Sequence, residues 1–103
     1  MSIRDVVEGV QHQGVDEKIA YKITTTPWAS TPVIVDVMAY DITDGDRTDV
    51  TLTLLTGAAS VLGDVITTPI VQPLAVDKLY RIEVKFTSGG NTLEFFFVVK
   101  SEY

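Results

Sequence analysis

The last third of the chain carries the pattern that most restricts its fold. From Tyr80 to Phe86, apolar and charged residues alternate, and a second apolar run extends from Thr92 to Lys100. Strict alternation predicts a β-strand with one buried face and one face in water. The Gly89-Gly90 pair between the two runs favours a tight connection. The sequence therefore predicts an antiparallel hairpin of two long strands near the C-terminus.

A tyrosine near the start of this hairpin narrows the fold further. Leu74 precedes Tyr80 by six residues, which matches the entry to the tyrosine corner of immunoglobulin-like and fibronectin-like sandwiches. In that corner the phenol hydroxyl donates a hydrogen bond to upstream backbone. We therefore expect an all-β, immunoglobulin-like or fibronectin-like two-sheet sandwich of about seven strands.

Turn signals divide the rest of the chain into short β-like segments. Glycine, proline and an Asp-Gly pair separate the alternating runs at intervals typical of an all-β sandwich. The predicted strands are Ile3–Val10, Lys18–Thr26, Val33–Thr43, Asp49–Thr56, Ser60–Thr68, Lys78–Thr87 and Thr92–Lys100. No repeat or linker interrupts them, so we expect a single domain spanning residues 1–103.

Composition excludes several classes of protein. With 46% hydrophobic and 21% charged residues, the chain is too apolar for disorder, and its apolar runs are too short for a membrane helix. A net charge of −6 repels phosphate backbones, and no basic patch offsets it. Cysteine is absent, which suits a reducing compartment, and the acidic N-terminus does not read as a secretory signal. We expect no nucleic-acid partner, no membrane partner and synthesis in the cytoplasm.

The alternation also assigns residues to the core. The residues predicted to point inward are Ile19, Tyr21, Ile23, Val33, Val35, Val37, Val50, Leu52, Leu54, Leu93, Phe95, Phe97 and Val99. If the strand order is immunoglobulin-like, the third, sixth and seventh predicted strands share one sheet.

The outer face of that sheet is the leading candidate for a protein–protein contact. It carries apolar residues on both flanks, and Arg81, Glu83 and Lys85 lie between them. The apolar residues are Ile34, Met38, Tyr40, Phe96 and Val98. A solitary monomer rarely exposes so much apolar surface. The alternative is that loops, the N-terminal strand or the arginine and lysine stems cover this face.

An acid-rich turn is a weak candidate for a calcium site. It offers four carboxylates within nine residues, those of Asp41, Asp44, Asp46 and Asp49. Calcium prefers several such oxygens, but the spacing fits no EF-hand loop because Arg47 interrupts it. We favour a hairpin turn in which Asp44-Gly45 takes the left-handed positions and the acids are solvated. No metal ion is therefore expected.

Neither catalysis nor a cofactor is indicated by the remaining side chains. His12 is the only histidine and lies between two predicted strands, so zinc would find too few nitrogen or sulfur ligands. No serine lies in a nucleophile elbow, and Gly89-Gly90 does not precede a helix as a phosphate loop would. We expect a protein that is not an enzyme and binds no cofactor.

Trp28 lies in a loop framed by Pro27 and Pro32. The two prolines stiffen this loop, so the indole could anchor a partner or stack on a sugar. It could equally fold down and close the end of the sandwich. Both interpretations stay open.

Four segments of the chain resemble small single-domain proteins encoded among the head and tail genes of tailed bacteriophages and prophages. They are Asp5–Val10, Ile19–Trp28, Gly63–Pro69 and Leu79–Thr87. The resemblance implies an immunoglobulin-like virion or assembly component without catalytic residues. It implies copies of itself or other virion proteins as partners, and a place in the virion after synthesis in the bacterial cytoplasm.

A carbohydrate- or surface-binding module is the alternative function. In that interpretation Trp28 and Tyr40 are stacking platforms for sugar rings, and the acidic turn holds calcium.

Overall fold

The computed structural model describes residues 3–5, 11–25, 31–45, 47–72 and 75–102. These residues form short and long strands and one helical turn. In chain order they are β1 Ile3–Asp5, β2 Gln11–Gln13, β3 Lys22–Thr24, β4 Val33–Asp41, β5 Thr48–Asp49, α1 Thr51–Leu54, β6 Leu55–Thr56, β7 Ser60–Leu62, β8 Val65–Thr67, β9 Ile70–Val71, β10 Leu79–Ser88 and β11 Asn91–Ser101.

The largest sheet, here called the main sheet, has the order β1-β11-β10-β4-β5, and β2 also pairs with β11. Its long strands β4, β10 and β11 are antiparallel, whereas β1 and β2 run parallel to β11. Strands β3, β8 and β7 form a second sheet, and β6 pairs with β9. The protein is therefore mostly β, in several sheets, and this architecture is compatible with an all-β sandwich.

The predicted C-terminal hairpin is confirmed. Pairing runs without interruption from Leu79 opposite Lys100 to Ser88 opposite Asn91. Only Gly89 and Gly90 lie between the strands, with φ angles of 56° and 83°. Two successive positive φ angles are the geometry of a type I′ turn, whose twist matches that of the flanking strands.

The core lies against the inner face of the main sheet. Tyr80, Ile82, Val84 and Phe86 are buried on β10, and Phe95, Phe97 and Val99 are buried on β11. They pack with Ile23 and Ile66 of the second sheet and with Leu54 and Val71. The Phe86 and Phe95 rings are tilted at 60° with centroids 5.9 Å apart, a favourable aromatic arrangement. Leu74, the other residue of the proposed tyrosine corner, lies outside the described residues.

The predicted strand Asp49–Thr56 is wrong in its centre, where the chain forms the helical turn α1. The amides of Thr53 and Leu54 both donate to the Val50 carbonyl oxygen. Leu54 is thereby buried, whereas Leu52 is 95% exposed instead of pointing inward. The reason is the change of period, because residues two apart share a face in a strand but not in a helical turn.

Two further predictions need correction. The register between β10 and β4 shifts at Val35, where Lys85 pairs with Asp36 but Phe86 pairs with Ile34. Such an irregularity reverses the alternation, so Val33 is 61% exposed rather than inward. The predicted strand Ser60–Thr68 is instead the hairpin β7-β8, which turns at Gly63-Asp64 with a Gly63 φ of 60°.

Candidate functional site

The outer face of the main sheet is the side of β4, β10 and β11 that points away from the core. Backbone register places its residues in three rows, with one residue from each strand in each row. The rows are Tyr40 beside Arg81 and Val98, Met38 beside Glu83 and Phe96, and Asp36 beside Lys85 and Glu94. Two rows are thus rich in apolar side chains, and the third is charged.

Most of the apolar residues that the sequence assigned to this face lie together on it. Met38 and Tyr40 of β4 and Phe96 and Val98 of β11 are all half-buried, and they flank Glu83 and Arg81 of the intervening strand β10. The backbone of Ile34 pairs with Phe86, beyond the irregularity at Val35, and its side chain is outside the described part of the chain. Trp28 also lies outside the described residues.

Two arginine side chains cover part of this apolar surface. The Arg81 guanidinium carbon lies 3.9 Å from the centroid of the Phe96 ring, and that of Arg47 lies 4.4 Å from the Tyr40 ring. Such cation–π contacts each contribute about 0.5–1 kcal/mol when exposed to water. The face is therefore a mixed surface, in which positively charged guanidinium groups lie over aromatic rings.

Glu83 holds both guanidinium groups in place. Arg47 Nη2 donates a hydrogen bond to Glu83 Oε2 at 2.6 Å. Arg81 Nε lies 2.8 Å from the same oxygen, but it is not aligned for a hydrogen bond and finds no other partner among the described residues. One carboxylate thus contacts two cations, and this group of three carries one net positive charge.

Sequence reasoning missed the role of Arg47. The alternation identified Arg81 and Glu83 because they belong to a long strand, whereas Arg47 reaches the face from the loop before β5. Its only signal was a single basic residue within the acid-rich turn. A contact between a loop and a sheet face depends on tertiary structure that period-two patterns do not encode.

The acid-rich turn uses its carboxylates locally. Asp41 Oδ1 accepts hydrogen bonds from the Thr43 amide and hydroxyl, and Asp49 Oδ1 accepts the same pair from Thr51. Among the described residues, no three acidic, histidine or cysteine side chains are grouped to hold a metal ion. Asp46 lies outside those residues, and Asp44 is exposed on the turn.

These hydrogen bonds also set the charge of the turn. Partial burial by itself raises the pKa of Asp41, but the Thr43 hydrogen bonds and the charge of Lys78 together bring it below its ordinary value. The Thr51 backbone amide and hydroxyl lower the pKa of Asp49. Both carboxylates therefore keep their negative charge well into the acidic range.

His12 lies on β2, not in the loop expected from the sequence. Its Nδ1 is 2.7 Å from Glu102 Oε1, on the segment that follows β11. Gln13, the next residue, is fully buried, and its amide group donates to the carbonyl oxygens of Glu17 and Val71. Strand β2 thus joins the segment that follows β11 to the core.

Among the described residues, no helix is long and apolar enough to span a membrane. Comparison of the chain with protein-family models, curated proteins and solved structures finds no match. The outer face, with its geometry and charge, is therefore the feature from which a function has to be inferred.

Proposed function

We propose that this protein is a non-enzymatic interaction protein that binds a partner through the outer face of the main sheet. The observation that carries the proposal is the position of Met38 and Tyr40 on β4 and of Phe96 and Val98 on β11. All four are half-buried, and the two pairs flank Glu83 and Arg81 of β10 on one face. Because β10 pairs with β11 along its whole length, and with β4 without a shift from Asp36 to Asp41, the surface is preorganised and binding costs little conformational entropy.

Binding combines the burial of apolar side chains with a row of charges that aligns the partner. Each apolar side chain removed from water contributes on the order of one to two kcal/mol. Arg81, Glu83 and Lys85 form a line of alternating sign along β10 that favours one alignment of the partner. Since Glu83 contacts both Arg47 and Arg81, each of these three charges keeps an opposite charge beside it when a partner docks over the centre of the face.

The fold that best accommodates these features is an immunoglobulin-like sandwich. The adjacency of β4, β10 and β11 supports it, since this corresponds to the sheet of the third, sixth and seventh strands. The separate sheet of β3, β8 and β7 supports it as the opposite layer.

The biological setting that we propose is a bacteriophage or prophage virion. The support is the resemblance of the four sequence segments named above to small head and tail proteins. The partners are then copies of this chain or neighbouring virion proteins, and the protein reaches the virion from the bacterial cytoplasm. No cofactor takes part.

The carbohydrate-binding alternative gains no support from the described residues. Arg47 lies over the Tyr40 ring, so a sugar would have to displace the guanidinium group to stack there. Two carboxylates of the acid-rich turn, those of Asp41 and Asp49, accept hydrogen bonds from neighbouring threonines.

The proposal is tested by changing Phe96 and Val98 to serine together. Size exclusion with light scattering, from low micromolar to millimolar protein, is expected to show concentration-dependent association of the unchanged chain. The double variant is expected to remain monomeric. Leu62→Ser is the matched control, because Leu62 is 85% exposed at the β7-β8 hairpin, away from the main sheet.

Association of the double variant at the unchanged affinity would show that another surface is responsible. A strictly monomeric unchanged chain would rule out self-assembly, and the same variants would then be compared for incorporation into virions. Circular dichroism of each variant establishes that the sheet is intact before either result is interpreted.

A further inference from the structure

The edge of β4 is only partly covered. Strand β5 pairs with Tyr40 and Asp41, and beyond it the Ala39 amide donates to Thr51 Oγ1 while the Ala39 carbonyl accepts from Val50. Within the described ranges, no strand pairs with residues 33–38 on this side. The main sheet therefore has an open edge next to its outer face.

The alternating direction of the backbone N–H and C=O groups along β4 identifies Val37 as the centre of this edge. Both polar backbone groups of Ala39 point away from β10, and in an antiparallel sheet the residue two positions along points the same way. Val37 thus presents its N–H and C=O outward while its side chain is buried. Since the register is irregular at Val35, the regular part of the open edge is Asp36–Met38.

Two hollows flank this edge. One of about 430 Å³ lies on the outer side and is lined by Asp36, Met38 and residues 49–53, including Leu52. The other, of about 350 Å³, lies on the inner side and is lined by Asp36, Val37, residues 57–59 and Pro69. A strand added beside Val37 would have space for side chains on both of its faces.

The charge and polarity of the residues that line the two hollows indicate what kind of partner segment fits there. Asp36 lines both hollows and Asp49 lines the outer one, and none of the described lining residues is basic. Leu52, which is 95% exposed, and the half-buried Met38 add an apolar surface beside Asp36. The complementary segment carries a basic residue opposite Asp36 and an apolar residue two positions away, against Met38 and Leu52.

We propose that the open edge of β4 binds an extended, basic segment of a partner protein as an added β-strand. Main-chain hydrogen bonds to Val37 supply part of the affinity, and the side chains in the two hollows supply specificity. A second copy of this chain fits poorly, because two such edges would bring Asp36 near its own equivalent between molecules of charge −6. This site shares Met38 with the outer face, but the proposal does not depend on binding at that face.

Hydrogen exchange of the free protein gives the first test. The Val37 amide is expected to exchange at least about tenfold faster than the Ala39 amide, which is bound to Thr51, and far faster than that of Val84. A Val37 amide as protected as Val84 would show that the edge is already covered, and would overturn the proposal.

Peptide binding followed by NMR gives the second test. The probe is an eight-residue, threonine-rich peptide with a lysine and a leucine two positions apart. It is compared with the same peptide carrying glutamate for lysine, and with one N-methylated at the residue between them. The lysine peptide is expected to shift and protect the Val37 amide, and each comparison peptide to bind at least about tenfold more weakly.

Protein variants separate this site from the outer face. Asp36→Lys is expected to lower the affinity for the lysine peptide by at least about tenfold. Asp16→Lys makes the same charge change at an exposed turn and is expected to leave this affinity unchanged. The Phe96 and Val98 double variant is also expected to bind normally. Absence of millimolar binding, equal binding of the N-methylated peptide, or shifts centred on Phe96 would each overturn the proposal.

Discussion

At the scale of single residues, the most consequential group is the pair of the buried Gln13 and the half-buried Tyr21. The Tyr21 hydroxyl donates to Gln13 Oε1 at 2.7 Å, and the Tyr21 ring packs 5.1 Å from that of Phe97. The Gln13 amide nitrogen donates a hydrogen bond to the Val71 carbonyl oxygen, so this network joins β2 to β9. A buried polar group stabilises a fold only when its partners are present.

Alkaline pH should therefore destabilise the protein through Tyr21. Burial, followed by the negative charge of Glu17, raises the pKa of Tyr21 from 10.0 to about 12. The unfolded chain loses this proton first, so the stability contribution is complete below about pH 10 and is lost as pH rises toward about 12. Urea midpoints at about pH 8 and about pH 11 are expected to fall more for the unchanged chain than for Tyr21→Phe.

Tyr21→Phe is also expected to lower the free energy of unfolding at neutral pH. Tyr21→Phe removes the donor to Gln13 Oε1, and a buried acceptor without a donor costs about 1–3 kcal/mol. Equal losses of stability between the two pH values in both proteins would contradict the role given to the Tyr21 hydroxyl.

Thr51 is the second residue with a testable role, since its hydroxyl joins Asp49 to the backbone of Ala39. Thr51→Val is expected to raise the pKa of Asp49 toward its ordinary value and to speed hydrogen exchange at the Ala39 amide. The Asp49 contribution is present above its unfolded pKa and is lost as pH falls through the lower folded pKa, so the variant should lose less stability in acid.

Thr53→Val is the control for this experiment. Thr53 lies in the same helical turn, but its hydroxyl donates only to the Val50 carbonyl oxygen. Carbon-detected NMR titration of the Asp49 carboxyl group would contradict the assignment if both valine variants shifted its pKa equally.

At the scale of elements, predictability followed the length of the alternating pattern. The β10-β11 hairpin was predicted because the alternation from Tyr80 to Phe86 and the Gly-Gly pair agree on one structure. Helical turn α1 was not, because its four residues have strand-like composition and are held by hydrogen bonds to Val50 and by Thr51 contacts with β4. Short elements depend on tertiary contacts that the local sequence does not contain.

The same limit applies to the outer face. The positions of Met38, Tyr40, Phe96 and Val98 followed from alternation within the two long strands β4 and β11. The irregularity at Val35 has no local signal such as glycine, and it changes the pairing of every β4 residue that precedes it. The prediction therefore holds for the C-terminal part of β4 and fails at its start.

The tight turn of the hairpin provides a prediction at this scale. Gly90 has a φ of 83°, and a Cβ there would meet no atom within 4 Å, so the cost of Gly90→Ala is conformational rather than steric crowding. We expect a loss of about 1 kcal/mol or more in the free energy of unfolding. Gly89, at 56°, is in the left-handed region that asparagine tolerates, so Gly89→Asn is expected to be nearly neutral in urea denaturation.

Reversal of that order, with Gly89→Asn more destabilising than Gly90→Ala, would contradict the type I′ assignment. Because the turn joins the two longest strands, its stability also controls how firmly Phe96 and Val98 are held beside Glu83 and Arg81.

At the scale of the whole molecule, one sheet carries two surfaces of different character. The outer face has apolar side chains and two arginines that contact Glu83, whereas the described linings of the two hollows beside the edge of β4 contain Asp36 and Asp49 and no basic residue. The net charge of −6 acts on both. It opposes contact between identical chains and favours approach of a basic segment.

Salt should therefore change the two interactions in opposite directions. Raising sodium chloride from about 50 to about 500 mM screens the repulsion between copies, so self-association through the outer face is expected to strengthen. The same change screens the attraction between Asp36 and a lysine peptide, so binding at the edge is expected to weaken. Light scattering and NMR titration on one sample series measure both effects. Parallel salt dependences would mean that a single surface serves both interactions, because one charge pattern then governs both equilibria.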